Sequence, residues 1–311
     1  MRTALRQTFL EKENLQEETL EPLPTDCSKR CYFRLPNKLL MDAPPPHEST
    51  ISFQIMAEFL RNAGLSVPQI YASNHEHGFL LVEDLGELTF RKAIEKGFPE
   101  PMLYGEVIQS LIHLHKNVME NKIDLPLYDL DLFLKGIEVF LDWYDLPLSD
   151  QAKEDFRGLW TDAYHQQPLM PPSIVMRDVM VDNLIWLPSR TGFQRCGFID
   201  FQDGVWGPIT YDLVSLLQDG RRDISPQLVQ EMVEIYLKTF PELNVQDFWA
   251  SYALWGAQLS TRLTGLWSRL AKRDDKPQYM IHQPRTKTSL EHNLSHPSLK
   301  AIRNWFQRVD L

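Results

Sequence analysis

Asp178, Asn183 and Asp200 stand close together in the chain, with Arg177 directly before the first and Phe201 directly after the last, between apolar runs. Phosphoryl transfer to a hydroxyl needs a carboxylate that orients and deprotonates that hydroxyl. It also needs an amide and a second carboxylate to hold magnesium against nucleotide phosphates. Residues 173–176, 184–187 and 194–199 read as short buried strands and 177–182 as a loop, so the ends of adjacent strands would gather the three side chains. Asp or Asn alone is more often a turn former, because each bonds its own backbone. The offsets between them are what point to chemistry.

The order Arg177-Asp178, Asn183, Asp200-Phe201 resembles the R-D-x-x-x-x-N and D-F signatures of protein kinases and of the aminoglycoside phosphotransferases that share their fold. The resemblance implies Asp178 as catalytic base, Asn183 as a magnesium ligand and Asp200 as the main magnesium ligand, with ATP as donor.

The stretch Asp200-Phe201-Gln202-Asp203-Gly204-Val205-Trp206-Gly207-Pro208 and the helix after it, with Tyr32-Phe33-Arg34-Leu35, Met41-Asp42-Ala43-Pro44-Pro45 and Arg273-Asp274-Asp275-Lys276, narrows this likeness. These blocks are similar to the bacterial cell-wall recycling kinases of the aminoglycoside phosphotransferase family, which phosphorylate the anomeric hydroxyl of N-acetylmuramate and N-acetylglucosamine. The likeness runs from about residue 23 to the C-terminus and implies a small hydroxylated acceptor, most simply an amino sugar. It makes Asp212 a buried carboxylate that buttresses the catalytic loop. Arg177 either pairs with such a carboxylate or is a solvated loop arginine. Asp203 either approaches the metal or sugar, or caps the turn at Gly204.

Departures from the family accompany the matches. Met176 stands where these kinases usually carry histidine, and Met180 and Asp182 where they carry a second histidine and an arginine. If Met180 and Asp182 face the acceptor, a cation has become an anion, and the sugar should lack the carboxylate of muramate. Other small alcohols, such as choline, a homoserine-like metabolite or an aminoglycoside, and a catalytically weak pseudokinase-type binding module are the alternatives.

Elements must position this site. Before residue 86, residues 31–35 and 38–41 read as strands and 50–63 as an amphipathic helix, a small antiparallel sheet with a helix packed on it. The proline run 44–46 ends the second strand. After Gly86 helical patterns dominate, at 101–116, 130–144, 151–165, 211–218, 226–239 and 245–270. The expected fold is therefore α+β and two-lobed like a protein kinase, with an N-terminal nucleotide-binding lobe over 1–85 and a catalytic, acceptor-binding lobe over 86–311.

Residues 78–86 form an apolar run that ends in Glu83, Asp84, Leu85 and glycine. Either it is a hinge whose backbone at Glu83 to Leu85 reads adenine, or it is a plain core strand followed by a turn. The phosphate cradle is open in the same way. Kinases pair a lysine on the third strand with a helix glutamate, but residues 39–42 carry no lysine. Ser28, Lys29, Arg30 and Lys38 are the candidate donors and Glu48 or Glu58 the candidate acid.

Composition limits the partners. With 32 Lys and Arg against 42 Asp and Glu, the net charge of −10 disfavours a polyanion such as nucleic acid. No apolar run reaches membrane-spanning length, and residues 1–20 lack the apolar core of a signal peptide. Three cysteines, Cys27, Cys31 and Cys196, suit a reducing, cytoplasmic setting. His113 and His115 lie on different faces of one helix and read as ordinary helix residues. Phe248, Trp249, Trp255 and Trp267 read as core of the larger lobe, and Arg269, Lys272, Arg273 and Lys276 as a solvated helix end.

Overall fold

A computed structural model describes residues 2–24, 30–117 and 123–309. In chain order the elements are α1 (Arg2–Lys12), β1 (Glu21–Pro22), β2 (Cys31–Leu35), β3 (Lys38–Asp42), α2 (Thr50–Asn62), β4 (Ile70–Asn74), β5 (Phe79–Glu83), α3 (Phe90–Glu95) and α4 (Glu100–Asn117). There follow α5 (Leu130–Trp143), α6 (Asp150–Gln166), β6 (Pro172–Val175), β7 (Leu184–Trp186), β8 (Cys196–Phe198), β9 (Val205–Pro208), α7 (Thr210–Leu217), α8 (Pro226–Thr239), α9 (Val245–Arg273), α10 (Gln283–Leu294) and α11 (Lys300–Arg308). They fold as two compact units, 1–117 with 181–204 and 118–180 with 205–311. The packing units are thus cut differently from the lobes expected at residue 86, because α3, α4 and the β7–β8 segment fold with the sheet.

In the first unit the sheet runs β1-β2-β3-β5-β4, antiparallel throughout. The β2–β3 connection is Pro36-Asn37, where proline presets one turn position and Asn37, at φ 59°, supplies the left-handed one. Strand alternation sends Leu40, Phe79 and Leu81 into a cluster with Phe9 and Leu10 of α1. Met41 and Leu80 are also fully buried. The sheet therefore has two covered faces, and α1 supplies one of the covers. Arg2 and Arg6 of α1 lie over the rings of Phe79 and Phe33 at 4.2 and 4.0 Å, and Arg2 ion-pairs with Asp42. Ser49 starts α2 by accepting the Ser52 amide at 3.1 Å, and Phe53, Met56, Ala57 and Leu60 form its buried stripe.

The β7–β8 ladder pairs Leu184 with Phe198, and single bridges tie Gly197 to Ser66 and Ile185 to Thr89. The strand expected over 194–199 is shorter, because Gly192–Arg195 closes as a 3₁₀ turn and the ladder begins only at Cys196.

In the second unit α9 is the axis. A side chain at Gly265 would meet the Val139 carbonyl of α5 at 2.3 Å, so α5 and α9 approach backbone to backbone there. At Gly256 the space is filled by a reciprocal amide pair, Gln218 with Asn293, at 3.1 and 2.7 Å. Trp160, Trp255, Trp267 and Trp305 are fully buried and Trp249 is half-buried. Strand β6 pairs with β9, setting Val175 opposite Val205.

Candidate active site

Asp178 belongs to the second unit, on the loop that leaves β6. Asp212, in the first turn of α7, accepts the Met176 amide at 2.7 Å and the Arg177 amide at 2.9 Å, one on each carboxylate oxygen. Ser215, one helical turn further, donates to the Arg177 carbonyl at 3.1 Å. These bonds hold Arg177 at φ 77°, a left-handed conformation that costs a residue with a Cβ on the order of 1–3 kcal/mol. The Arg177 side chain makes no pair with Asp212, as one reading expected; its main chain does, and the guanidinium stands 5.9 Å over the Tyr128 ring. Burial lifts the Asp212 carboxyl to about 7, although the two amide bonds pull it back down. Arg262 of α9 places Nη2 3.9 Å from Asp178 Oδ1, a long ion pair. Sequence reading missed Arg262; an arginine amid the apolar run of a long helix was the available signal.

Asn183 and Asp200 belong to the first unit and stand at one end of the β7–β8 ladder, where the Ile199 amide donates to the Asn183 carbonyl at 3.1 Å. Asp200 has φ 62° and its side chain is 43% exposed, open enough to take a ligand. Its Oδ1 accepts Arg30 Nη2 at 3.3 Å and Gln202 Nε2 at 3.0 Å; the same Gln202 amide reaches Asp203 Oδ2 at 3.2 Å. Phe201 packs on Phe53 of α2 at 5.0 Å between centroids, and Gly204 leaves only enough room for the Met56 thioether, 2.4 Å from where a Cβ would sit. Helix α2 therefore fixes the loop that carries Asp200.

Of the candidate donors for the phosphate cradle among the described residues, Arg30 is the one that stands beside Asp200. Arg30, at the start of β2 and only 9% exposed, sets Nε 3.3 Å from Glu48 Oε2 while its Nη2 touches Asp200. Tyr32 lies in the same cluster, and its hydroxyl is pushed up to about 12, mainly by burial, against the opposing pull of Arg30. The other candidates point elsewhere. Lys38 stands over the Tyr71 ring at 5.3 Å, and Glu58 accepts Gln54 on the exposed side of α2. Ser28, Lys29 and Cys27 lie outside the described residues.

At the expected hinge the Glu83 amide is taken by the Gln69 carbonyl at 2.8 Å, and the Glu83 carboxylate by Arg190 at 2.9 Å and Arg61 at 3.6 Å. Asp84 accepts Arg34 at 2.6 Å and the Gly86 amide at 2.8 Å, and its own amide bonds Asn37 O at 3.4 Å. The Leu85 amide has no backbone partner among the described residues.

The departures in the loop look inward. Met176 is buried, so its thioether packs within the protein. Asp182, expected at the substrate, is held in a two-point pair by Arg91 of α3, with Arg91 Nη2 2.7 Å from Oδ2. The anion thus has its cation within the protein. Met180 is half-buried.

The donor set fits magnesium. Asp200 and Asn183 offer hard oxygens at one ladder end, and magnesium asks a protein for one or two such ligands, with phosphates and water completing six. No group of three or more His, Cys, Asp or Glu is gathered for a metal among the described residues. His113 donates to the Ala63 carbonyl at 2.8 Å and stacks on Phe193, while His115 is buried, so neither binds metal as a pair. Cys31 and Cys196 are free thiols, and among the described residues no helix is long and apolar enough to cross a membrane.

The antiparallel sheet with its helix and the largely helical remainder make a kinase-like α+β fold, in which the loop after β6 is tied to a buried carboxylate and β7 pairs with β8. The chain belongs to the phosphotransferase enzyme family, whose model matches residues 19–255. It is 30% identical to the N-acetylmuramate/N-acetylglucosamine kinase of Caulobacter vibrioides, covering 99% of this chain and 96% of that one. The kinase of the same name from Pseudomonas aeruginosa is 31% identical over 86% of this chain and 81% of its own. Among solved structures, a choline/ethanolamine kinase family protein from Mesorhizobium loti has a TM-score of 0.68 at 15% identity, covering 99% of this chain and 100% of that one. The GDP complex of an aminoglycoside 2'-phosphotransferase has a TM-score of 0.65 at 13% identity, covering 94% and 100%.

Proposed function

We propose that this protein transfers the γ-phosphoryl group of ATP, with magnesium, to a hydroxyl of an amino sugar. The observation that carries the acceptor class is the near full-length likeness to kinases named for N-acetylmuramate and N-acetylglucosamine. The chemistry rests on residues that the fold constrains at some cost in backbone strain. Asp178 accepts the proton of the acceptor hydroxyl as its oxygen bonds phosphorus and the bond from phosphorus to the departing ADP oxygen breaks. Asp212 and Ser215 hold the peptide before Asp178 in its left-handed turn, and Arg262 forms a long ion pair with the Asp178 carboxylate. Asn183 and Asp200 are the protein's oxygens for magnesium, which when bound neutralises charge on the phosphates. The Leu85 amide is the donor available to the adenine edge, with the flanking Glu83 and Asp84 spent on holding the strand end in place. Free thiols and ATP use suit a cytoplasmic enzyme.

Magnesium-dependent ATP consumption by the purified protein, measured with N-acetylglucosamine, N-acetylmuramate, choline, ethanolamine and an aminoglycoside, tests this reading. Turnover is expected with an N-acetylated sugar and not with the amino alcohols. Turnover confined to choline or ethanolamine would overturn the acceptor assignment.

A further inference from the structure

The one lysine of β3, Lys38, stands over the Tyr71 ring at 5.3 Å, whereas a buried cation, Arg30, stands beside Asp200. Arg30 is buried at the start of β2, holds Glu48 through Nε and reaches Asp200 through Nη2, both at 3.3 Å. Glu48 stands just before the Ser49 cap of α2, and Ser49 is fixed by the Ser52 amide. The carboxylate is therefore held by a helix start, as the glutamate partner of a phosphate-binding lysine is held by its helix. A guanidinium has a planar fork of donors in fixed geometry, and Arg30 uses separate nitrogens of it on the two acids. The same Nη2 that faces Asp200 occupies an oxygen of the carboxylate assigned to magnesium.

We propose that Arg30 takes the part that a third-strand lysine plays in kinases, and that its guanidinium exchanges Asp200 for the nucleotide phosphates when the metal–nucleotide complex binds. This rests on the kinase reading above. In the nucleotide-free protein Arg30 neutralises Asp200 and opposes a lone divalent cation there. With the nucleotide present its phosphates attract the guanidinium, Asp200 turns to the metal, and Glu48 keeps the arginine within reach. Metal and nucleotide binding are consequently coupled, each strengthening the other by the same factor. The metal binds poorly alone and well with ATP.

The test is equilibrium binding with no acceptor present, using a fluorescent ATP analogue with magnesium and, separately, manganese alone read by electron paramagnetic resonance. Arg30→Ala should weaken nucleotide binding by about 10- to 100-fold, the range for losing a charge-assisted pair. It should also tighten manganese binding to the nucleotide-free protein. Arg30→Lys should restore part of the nucleotide affinity, and Arg30→Ala with Glu48→Gln should keep the manganese gain while relieving the stranded acid should the single variant fold poorly. A general structural role for Arg30 would weaken both ligands together. Nucleotide binding unchanged in Arg30→Ala, or manganese bound no tighter, overturns the proposal. Failure of the wild-type protein to bind the nucleotide would instead count against the kinase reading itself.

Discussion

Asp212 holds the loop that carries Asp178 by accepting the Met176 and Arg177 amides. The Asp212 carboxyl, raised by burial to about 7 from an ordinary 3.8, keeps in the folded protein a proton that the unfolded chain has already lost across that interval. Folding stability from this group is thus greatest at the acid end and falls as pH rises from about 4 through about 7. Urea unfolding between pH 5 and 8 should show a decline that Asp212→Asn flattens, with lower stability for the variant at acid pH because one of two amide bonds is lost. Parallel pH curves for the two proteins would contradict this account. Asp178, Asn183 and Asp200 stand out in the sequence by type and offset, and the roles proposed for them rest on that pattern. Arg262 was not legible, because its partner lies 84 positions away in sequence and only packing brings α9 under the loop. Arg177 was half legible: the carboxylate contact was expected, but the backbone amide that makes it leaves no side-chain signature.

At the scale of elements, the sheet owes its second cover to α1, whose short polar-rich sequence gave no periodic signal. Phe9 and Leu10 nonetheless bury against Leu40, Phe79 and Leu81. Truncating Phe9 to Ala should cost roughly 3–5 kcal/mol in unfolding free energy, the range for a buried aromatic; a loss below about 1 kcal/mol would mean that α1 does not belong to the core. The α5–α9 approach makes a sharper comparison. Gly265→Ala drives a methyl into the Val139 carbonyl and should destabilise by about 1–3 kcal/mol. Gly105→Ala in α4 meets nothing within 4 Å and should be neutral or stabilise by up to about 1 kcal/mol, so only the Gly265 variant should lower the unfolding midpoint. The long helices and β2, β3 and α2 were read to within a few residues because strong periodicity marks them. Strands β4 and β9 were missed, since four or five half-exposed residues carry little pattern, and Gln194 and Arg195 of the 3₁₀ turn were read into the strand because they run straight into the apolar residues of β8.

Across the whole molecule the chain passes between its two units after residues 117, 180 and 204, so Asp178 sits in one unit while Asn183 and Asp200 sit in the other. The composition change near residue 86 marks the end of the sheet, and it does not mark a packing boundary because α3 and α4 fold back onto that unit. Family membership over residues 19–255 and the kinase-like fold agree with a molecule built for phosphoryl transfer. The central claim is that Asp178 serves as base toward an amino-sugar hydroxyl. Steady-state transfer of the labelled γ-phosphoryl group to N-acetylglucosamine or N-acetylmuramate, by wild-type protein and by Asp178→Ala, tests it most directly. A kcat lower by about 10²–10⁴ with KM nearly unchanged is the predicted result. A variant that forms sugar phosphate at the wild-type rate would contradict it.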